Sequence, residues 1–335
     1  MIKKECFTAE WIEQVSSELH YNDKNLIEKV IRALSLLEML VKAGCPLVFK
    51  GGTALMLILG KSAHRLSIDI DVICPPGTNI EDYLKSFADF GFINLELVER
   101  KQRDDADIPK SHSKFFYQIA YRNDTDAQSY ILLDVLYEDI HYFRTQQIAI
   151  NCPFIRLEGK PLMVTVPSAE DILGDKLTAF APNTTGIPYY KNGRSCSMEI
   201  AKQLYDVGRL FENVSDLQIT KEAFRKIAVV ELSYRSFGTD IGQIFNDIRQ
   251  TALCISTRGK AGEGDFDLIQ DGIIRVKSFM YKQRYLIDHA IIDAARAAYL
   301  ATLIEKGINE IESYSNNPAD IKDMVIRPSL PNKLN

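Results

Sequence analysis

Hydrophobic residues recur every three or four positions in the first part of the chain and then alternate with polar residues over short runs. The first pattern predicts a helix over residues 8–43. The second pattern predicts β-strands, which we expect at residues 47–50, 68–72, 92–101, 114–122, 129–137, 147–155 and 163–166. Two further helices are expected, one beginning at Thr53 and one over residues 80–90.

The pattern changes near Pro167. From residue 168 to about residue 313 the apolar spacing is helical throughout. We therefore predict an α/β (α+β) protein in which a mixed-sheet domain with N-terminal helices, residues 1–167, precedes a helical second domain, residues 168–313. Residues 314–335 are polar and contain several prolines, so we expect them to form a tail on the surface.

Composition narrows the class of protein. With 335 residues, 46% of them apolar and 25% charged, the chain is long enough for two globular domains with a substantial core. The formal net charge of −5 argues against strong non-specific binding to nucleic acid. Basic residues at 101–103, at 110–114 and in the loop with Lys191 and Arg194 could still contact RNA locally.

Nothing in the sequence predicts export or a membrane span. The six cysteines have neither C-x-x-C nor metal-ligand spacing, which is typical of reduced thiols. No signal-peptide pattern is present, and the apolar runs are too short to cross a bilayer. We expect a cytoplasmic protein without a membrane partner.

The segment between Pro46 and Pro75 carries the clearest chemistry. A short apolar run ends at Gly51-Gly52, and a helix-forming run follows from Thr53. Backbone N–H groups at a helix start have no intrahelical acceptor, and the helix dipole favours an anion there. Glycines allow a phosphate to approach the backbone, and the Thr53 hydroxyl would add a donor. The sequence therefore predicts a phosphate site.

Two carboxylates follow on the next predicted strand. Because side chains alternate along a strand, Asp69 and Asp71 point to one face while Ile68 and Ile70 point to the other. Adjacent carboxylates repel unless a cation lies between them, and hard oxygen ligands beside a phosphate suit Mg²⁺, with Mn²⁺ as an alternative. A turn glycine pair or a solvated Asp-x-Asp is ordinary when it stands alone, but their combination favours phosphate and metal chemistry.

These motifs resemble those of a known family. The residues Lys50-Gly51-Gly52-Thr53-Ala54-Leu55 and Arg65-Leu66-Ser67-Ile68-Asp69-Ile70-Asp71 look like the opening motif of the AbiEii/AbiGii-type toxins, a branch of the DNA polymerase β-like nucleotidyltransferases. The resemblance implies that the Gly-rich helix start, with Ser67, holds the triphosphate of an NTP, and that the aspartate pair holds Mg²⁺. The family often has an acidic residue at the position of Ile68, which faces away from the pair.

A third carboxylate lies on another predicted strand. Asp134 is flanked by apolar residues, where an ionised carboxylate is costly unless it is paired or bound to metal. The resemblance implies that Asp134 joins Asp69 and Asp71 as a metal ligand and helps to activate the nucleophile. A carboxylate at a strand edge that caps a loop or pairs with an arginine is the alternative.

Lys176 lies in the middle of an apolar helix face formed by residues 169, 172, 173, 177 and 180. A buried ammonium needs an anionic partner, which a triphosphate would supply. The common alternative is a lysine whose stem packs while its head reaches water. The family has a lysine at this point of its second domain, so the resemblance implies a catalytic and nucleotide-binding role.

A last motif lies at residues 202–206. Lys202 and Asp206 are predicted to share the helix face opposite the packing face, where a solvated ion pair is the ordinary interpretation. The resemblance implies a catalytic role for Asp206, although Gln203 stands where the family has an acid. The preceding loop, residues 188–194, is rich in aromatic and basic groups that could contact a nucleotide or RNA.

Taken together, the residues and the resemblance predict a Mg²⁺-dependent nucleotidyltransferase. Its helical domain would complete the cleft. The family role is that of the toxin of a toxin–antitoxin pair, with a cognate antitoxin as partner and the acceptor end of tRNA as the expected acceptor. The alternatives are a small-molecule nucleotidyltransferase of the antibiotic-modifying kind, and a catalytically silent nucleotide-binding module.

Overall fold

The computed structural model describes residues 1–98, 110–121, 127–235 and 240–312. The chain divides into two compact units. Unit 1 takes Met1–Ser168 together with Ser278–Arg284, and unit 2 takes Ala169–Lys277 together with the chain from Tyr285 onward.

Unit 1 is a mixed α/β unit. Its helices are α1 (Ala9–Glu18), α2 (Lys24–Lys42) and α3 (Gly51–Leu59). Its strands are β1 (Val48–Lys50), β2 (Ile70–Cys74), β3 (Asn94–Val98), β4 (Lys110–Gln118), β5 (Gln128–Tyr137), β6 (Thr145–Ala149) and β7 (Met163–Pro167). A five-stranded sheet has the order β1-β2-β5-β4-β3, in which only β2 and β5 pair in parallel. The predicted mixed-sheet fold class is confirmed.

The sheet has one buried and one open face because its strands alternate. In β5, Ile131, Leu133 and Val135 are buried, while the residues between them are half-exposed. Helix α2, buried along nearly all its length, packs against β2 and β5. The open face is therefore the one that carries Asp134.

Two helices predicted in unit 1 differ from those in the structure. The single helix over residues 8–43 is two helices, because the chain turns at His20, with φ of 51°, and Asp23 then caps α2 by accepting from the Leu26 N–H. Residues 80–90 form two short 3₁₀ turns, Ile80–Tyr83 and Phe87–Phe90, and no α-helix.

The strand predicted at residues 147–155 is β6, Thr145–Ala149. It pairs with β7 as a separate two-stranded sheet and does not join the main sheet. Alternation along a strand indicates its faces but does not identify its neighbour, which is why the sequence placed β6 and β7 in the wrong sheet. Residues 99–109, 122–126 and 313–335, which include parts of two predicted strands, a predicted turn and the tail, lie outside the described residues.

Unit 2 is helical apart from one small hairpin within its described residues. Its helices are α4 (Ala169–Ala179), α5 (Ser197–Phe211), α6 (Leu217–Arg235), α7 (Gly242–Ser256), α8 (Phe266–Val276) and α9 (Ile287–Lys306). The hairpin pairs β8 (Tyr190–Lys191) with β9 (Arg194–Ser195). Among the residues with described structure, no helix has the length and apolar character needed to cross a membrane.

Candidate functional site

Four polar side chains form a row across the main sheet. Lys50 of β1 is the register partner of Asp71 in β2, Asp71 is the partner of Asp134 in β5, and Asp134 is the partner of His112 in β4. Register partners on neighbouring strands point to the same face of a sheet. The row therefore brings two of the three predicted carboxylates side by side on the open face.

The Gly-Gly turn lies directly against this row. Gly51 has φ of 78°, and a Cβ added there would overlap the Asp71 carboxylate and lie 2.9 Å from its Cγ. A Cβ on Gly52 would lie 2.6 Å from the Ser67 Oγ and 3.0 Å from an Arg65 guanidinium nitrogen. A side chain at either glycine would require the neighbouring groups to shift. The start of α3, Ser67 and Asp71 thus come together as predicted, with the first backbone N–H groups of a nine-residue helix beside them.

Thr53 has a different contact from the predicted one. Its side chain is fully buried, and its hydroxyl donates a hydrogen bond to the Asp69 backbone oxygen at 2.7 Å. A hydroxyl has only one hydrogen to donate, so it is not a phosphate donor in this arrangement. The bond instead fastens the first turn of α3 to the segment that carries Asp69 and leads into β2. The hydroxyl hydrogen predicted to bind phosphate is thus used in this contact, and the wider prediction that Thr53 belongs to the nucleotide site stays a prediction.

The donors near the turn suit a hard cation. Asp69 is exposed one residue before β2, and Asp71 is half-buried, so both contribute oxygen ligands of the kind that Mg²⁺ and Mn²⁺ take. Within residues 1–98, 110–121, 127–235 and 240–312, no three His, Cys, Asp or Glu side chains are gathered closely enough to hold one ion. The donor chemistry fits a metal, and the role of Asp134 as a third ligand stays a prediction.

Asp134 has a partner that the sequence did not indicate. His112 Nδ1 and Asp134 Oδ1 are hydrogen-bonded across β4 and β5. The His112 side chain is 13% exposed and the Asp134 side chain 39% exposed. The sequence pattern missed His112 because the strand was predicted to begin at residue 114, whereas β4 begins at Lys110. Counting the alternation back from Phe115 would have put His112 on the same face as Asp134.

In unit 2, Lys176 and Asp206 form a buried ion pair. The Lys176 Nζ lies 3.1 Å from the Asp206 Oδ2 and donates to the Gln203 Oε1 at 2.9 Å. The whole residues are 7% and 2% exposed. The ammonium thus contacts α5 side chains. The alternative interpretation, in which the lysine head reaches water, does not hold.

Asp206 was predicted on the helix face opposite the packing face, and its burial rules out the solvated ion pair that was the ordinary interpretation there. Its catalytic role stays a prediction. Helix α4 packs against α5 and covers the face that carries Asp206. Periodicity along one helix identifies its apolar side but not whether a second helix covers the polar side. Gln203, which replaces the family's acid, supplies a neutral acceptor, so Lys176 contacts one carboxylate and one amide.

The aromatic and basic segment before α5 is the small β8–β9 hairpin. Its turn residues Asn192 and Gly193 have φ of 52° and 74°, which the Asn-Gly pair could have predicted. Tyr190, Lys191 and Arg194 are exposed around the turn. Burial raises the pKa of Tyr189 to about 12, so its phenol keeps its proton to a higher pH than that of an exposed tyrosine.

The other basic residues predicted to contact RNA differ in exposure and pairing. Lys110 is exposed at the start of β4, whereas Lys114 is half-buried and paired with Glu96 at 3.3 Å. Residues 101–103 lie outside the described part of the chain. Of the predicted basic groups that can be placed, Lys110, Lys191 and Arg194 are exposed, and the last two lie together on the hairpin.

Comparison with known proteins gives this chain a family. The family model described as "Nucleotidyl transferase AbiEii toxin, Type IV TA system" matches residues 34–302, which is most of the chain. The chain belongs to the AbiEii nucleotidyltransferase toxin family, and the predicted resemblance is confirmed. It is accordingly a nucleotidyltransferase of the toxin–antitoxin class.

Solved structures and curated proteins add little to that assignment. JHP933 from Helicobacter pylori is 15% identical, with 92% of this chain and 95% of that chain covered and a TM-score of 0.42. MenT4, a nucleotidyltransferase toxin from Mycobacterium tuberculosis H37Rv, is 13% identical, with 88% and 89% covered and a TM-score of 0.45. No curated protein matches the chain.

The glycine turn can be tested with a matched pair of variants. Gly51→Ala and Gly44→Ala both place a side chain at positive φ, but a Cβ at Gly44 meets nothing within 4 Å. Both should lose about 1–2 kcal/mol of stability from the backbone conformation. Gly51→Ala should lose more, and its nucleotide transfer should fall about tenfold or more because the Asp71 carboxylate is displaced. Urea unfolding and transfer assays measure the two effects; equal behaviour of the two variants would contradict the close approach of Gly51 to Asp71.

The Lys176–Asp206 pair can be tested by removing one of its partners. Lys176→Met leaves the Asp206 carboxylate buried without its cation. We expect it to lose about 3–5 kcal/mol of unfolding free energy. The double variant Lys176→Met with Asp206→Asn should recover much of this loss, which a double-mutant cycle by urea unfolding measures. Additive losses would show that the two side chains do not interact.

Proposed function

We propose that this chain is a Mg²⁺-dependent toxin that transfers a nucleotide from an NTP to a hydroxyl group of RNA, with the acceptor end of tRNA as the expected acceptor. Residues 1–167 would form the catalytic domain and residues 168–313 the helical domain. The cell compartment would be the cytoplasm, and a cognate antitoxin would be the protein partner, as the toxin–antitoxin family implies.

The row of Asp71 and Asp134 beside the Gly51 turn is the observation that carries this proposal. Neighbouring strands lie about 4.8 Å apart. Two charges at that separation repel by roughly 3–4 kcal/mol at an effective dielectric constant of about 20, less where solvent screens them. Lys50 lies beside Asp71 in the row, and a carboxylate pair next to a helix start would be stabilised further by a cation that binds with the nucleotide.

The chain's own groups divide into binding and orienting roles. The N–H groups at the start of α3, with Gly51, Gly52 and Ser67, would hold phosphate oxygens. Asp69 and Asp71 would hold the metal. Bound there, Mg²⁺ would supply positive charge to the phosphates and to the leaving group. Lys176 would add charge for the leaving group and Asp206 would hold Lys176; both roles rest on the family resemblance.

The transfer would be a nucleophilic displacement of pyrophosphate at the α-phosphorus of the NTP. The acceptor hydroxyl oxygen forms a bond to the α-phosphorus of the NTP while the bond from that phosphorus to the bridging oxygen breaks. Pyrophosphate leaves with the bonding electrons. The hydroxyl proton passes to Asp134, whose carboxylate would orient the attacking oxygen.

The metal pair gives the first test. Asp69→Asn and Asp71→Asn should abolish transfer of label from an α-labelled NTP to total tRNA in the presence of Mg²⁺. The thermal midpoint of each metal-free variant should stay the same or rise, because one neutral amide relieves the repulsion. Asp139→Asn, at an exposed position past the end of β5, is the matched control and should keep transfer. Unchanged transfer by either Asp69 or Asp71 variant would refute the mechanism.

The acceptor gives the second test, because RNA and a small molecule differ in charge. Lys191→Glu with Arg194→Glu should weaken tRNA binding. The slope of log affinity against log salt concentration should become shallower by roughly one unit for each phosphate that the variant no longer neutralises. Lys260→Glu with Lys277→Glu makes the same charge change at exposed positions elsewhere in unit 2 and should have little effect. Binding isotherms at several salt concentrations measure both pairs.

The growth rate of cells that express the chain gives an independent test between a toxin and a small-molecule enzyme. Expression of the chain alone should slow growth, and Asp71→Asn should remove that effect. Harmless expression, together with no label entering RNA from any NTP, would instead favour the small-molecule nucleotidyltransferase.

A further inference from the structure

We propose that His112 is a positioning residue that holds Asp134 in the orientation needed to receive the acceptor hydroxyl. This inference deepens the proposed function and rests on it. It concerns a residue that neither the family motifs nor the sequence pattern singled out.

Strand register and a side-chain hydrogen bond together place His112 against Asp134. The strands β4 and β5 pair in antiparallel register over nine residues, and His112 and Asp134 are direct partners in that register. Their side chains then meet through the bond between Nδ1 and Oδ1. A contact between two adjacent strands of a sheet is rigid, since moving either side chain away would require a change of rotamer or a slip of the strands.

The hydrogen bond from His112 restricts the orientation of the Asp134 carboxylate. A carboxylate has two oxygens, and the bond to His112 occupies one lone pair of Oδ1 while resisting rotation of the carboxylate about the Cβ–Cγ bond. Asp134 is more than a third exposed, so without His112 water would surround it and it would sample several orientations. With His112 in place, Oδ2 is held ready for the proton of the acceptor hydroxyl. Orientation of this kind lowers the barrier without adding a new chemical group.

The same site is poorly explained by stability alone. The His112 Nε2 is buried and has no hydrogen-bond partner among the residues that the structure describes. A buried polar atom without a partner is a cost to the folded state. Asp134, in turn, is exposed enough for water to replace the histidine. Removing the ring should therefore leave the fold intact, which makes an effect on the reaction measurable.

Three variants separate positioning from structure. His112→Leu removes the donor; His112→Asn retains an N–H near the position of Nδ1. His141→Leu removes a half-buried histidine of unit 1 that lies outside the row and serves as the matched control. Each is assayed with α-labelled NTP and total tRNA, with kcat and the KM for NTP determined separately and the thermal midpoint recorded.

We expect His112→Leu to lower kcat by about tenfold to a hundredfold, the usual effect of losing a partner that orients a reacting group. The KM for NTP and the thermal midpoint should stay near those of the wild type. His112→Asn should recover most of the lost rate, and His141→Leu should match the wild type. In the Asp134→Asn background, His112→Leu should cost nothing further in single-turnover rate, because the histidine acts only through that carboxylate.

The failures are distinguishable. Full kcat in His112→Leu, with an active wild type, would overturn the positioning role and leave the proposed function standing. A lowered thermal midpoint with an equal loss in His112→Asn would also overturn it, in favour of a structural role. A wild type that transfers no label from any NTP would overturn the proposed function and this inference with it.

Discussion

The pairing of β2 with β5 is the constraint on which the candidate site of unit 1 depends. Parallel register sets Asp71 beside Asp134, and the two outer neighbours extend the row to Lys50 on one side and His112 on the other. A slip of one residue between β2 and β5 would turn one carboxylate toward the buried face, because side chains alternate strictly along a strand. The packing of Ile131, Leu133 and Val135 against α2 therefore also keeps the polar side chains of the row on the open face.

The Gly51 turn and the Thr53 bond connect this row to the helix start. Gly51 permits close approach of the backbone to Asp71, and Thr53 ties α3 to the residue that carries the other carboxylate of the pair. The parts proposed to bind phosphate and metal thus form a single local unit. In unit 2 the two predicted site residues pair with each other. The attraction between the Lys176 ammonium and the Asp206 carboxylate offsets the free-energy cost of burying both charges.

Sequence reasoning succeeded where the chemistry is local. The Gly-Gly turn, the aspartate pair and the strand around Asp134 lie within short segments whose periodicity and composition are informative, and the family assignment confirms the class that they predicted. It failed where the answer depended on a second segment. The break between α1 and α2 required recognising Asp23 as a cap, and the pairing of β6 with β7 away from the main sheet has no signature in either strand alone.

The sequence by itself determined the mixed α/β class, the helical character of the second half, and the residue types at the glycine turn and on the carboxylate strands. Only the tertiary structure decided which side chains meet. His112 reaches Asp134 across twenty-two positions of sequence, Lys176 reaches Asp206 across thirty, and Thr53 donates to a backbone oxygen on another segment. Such contacts follow from strand register and helix packing, which depend on the whole core and not on the local pattern.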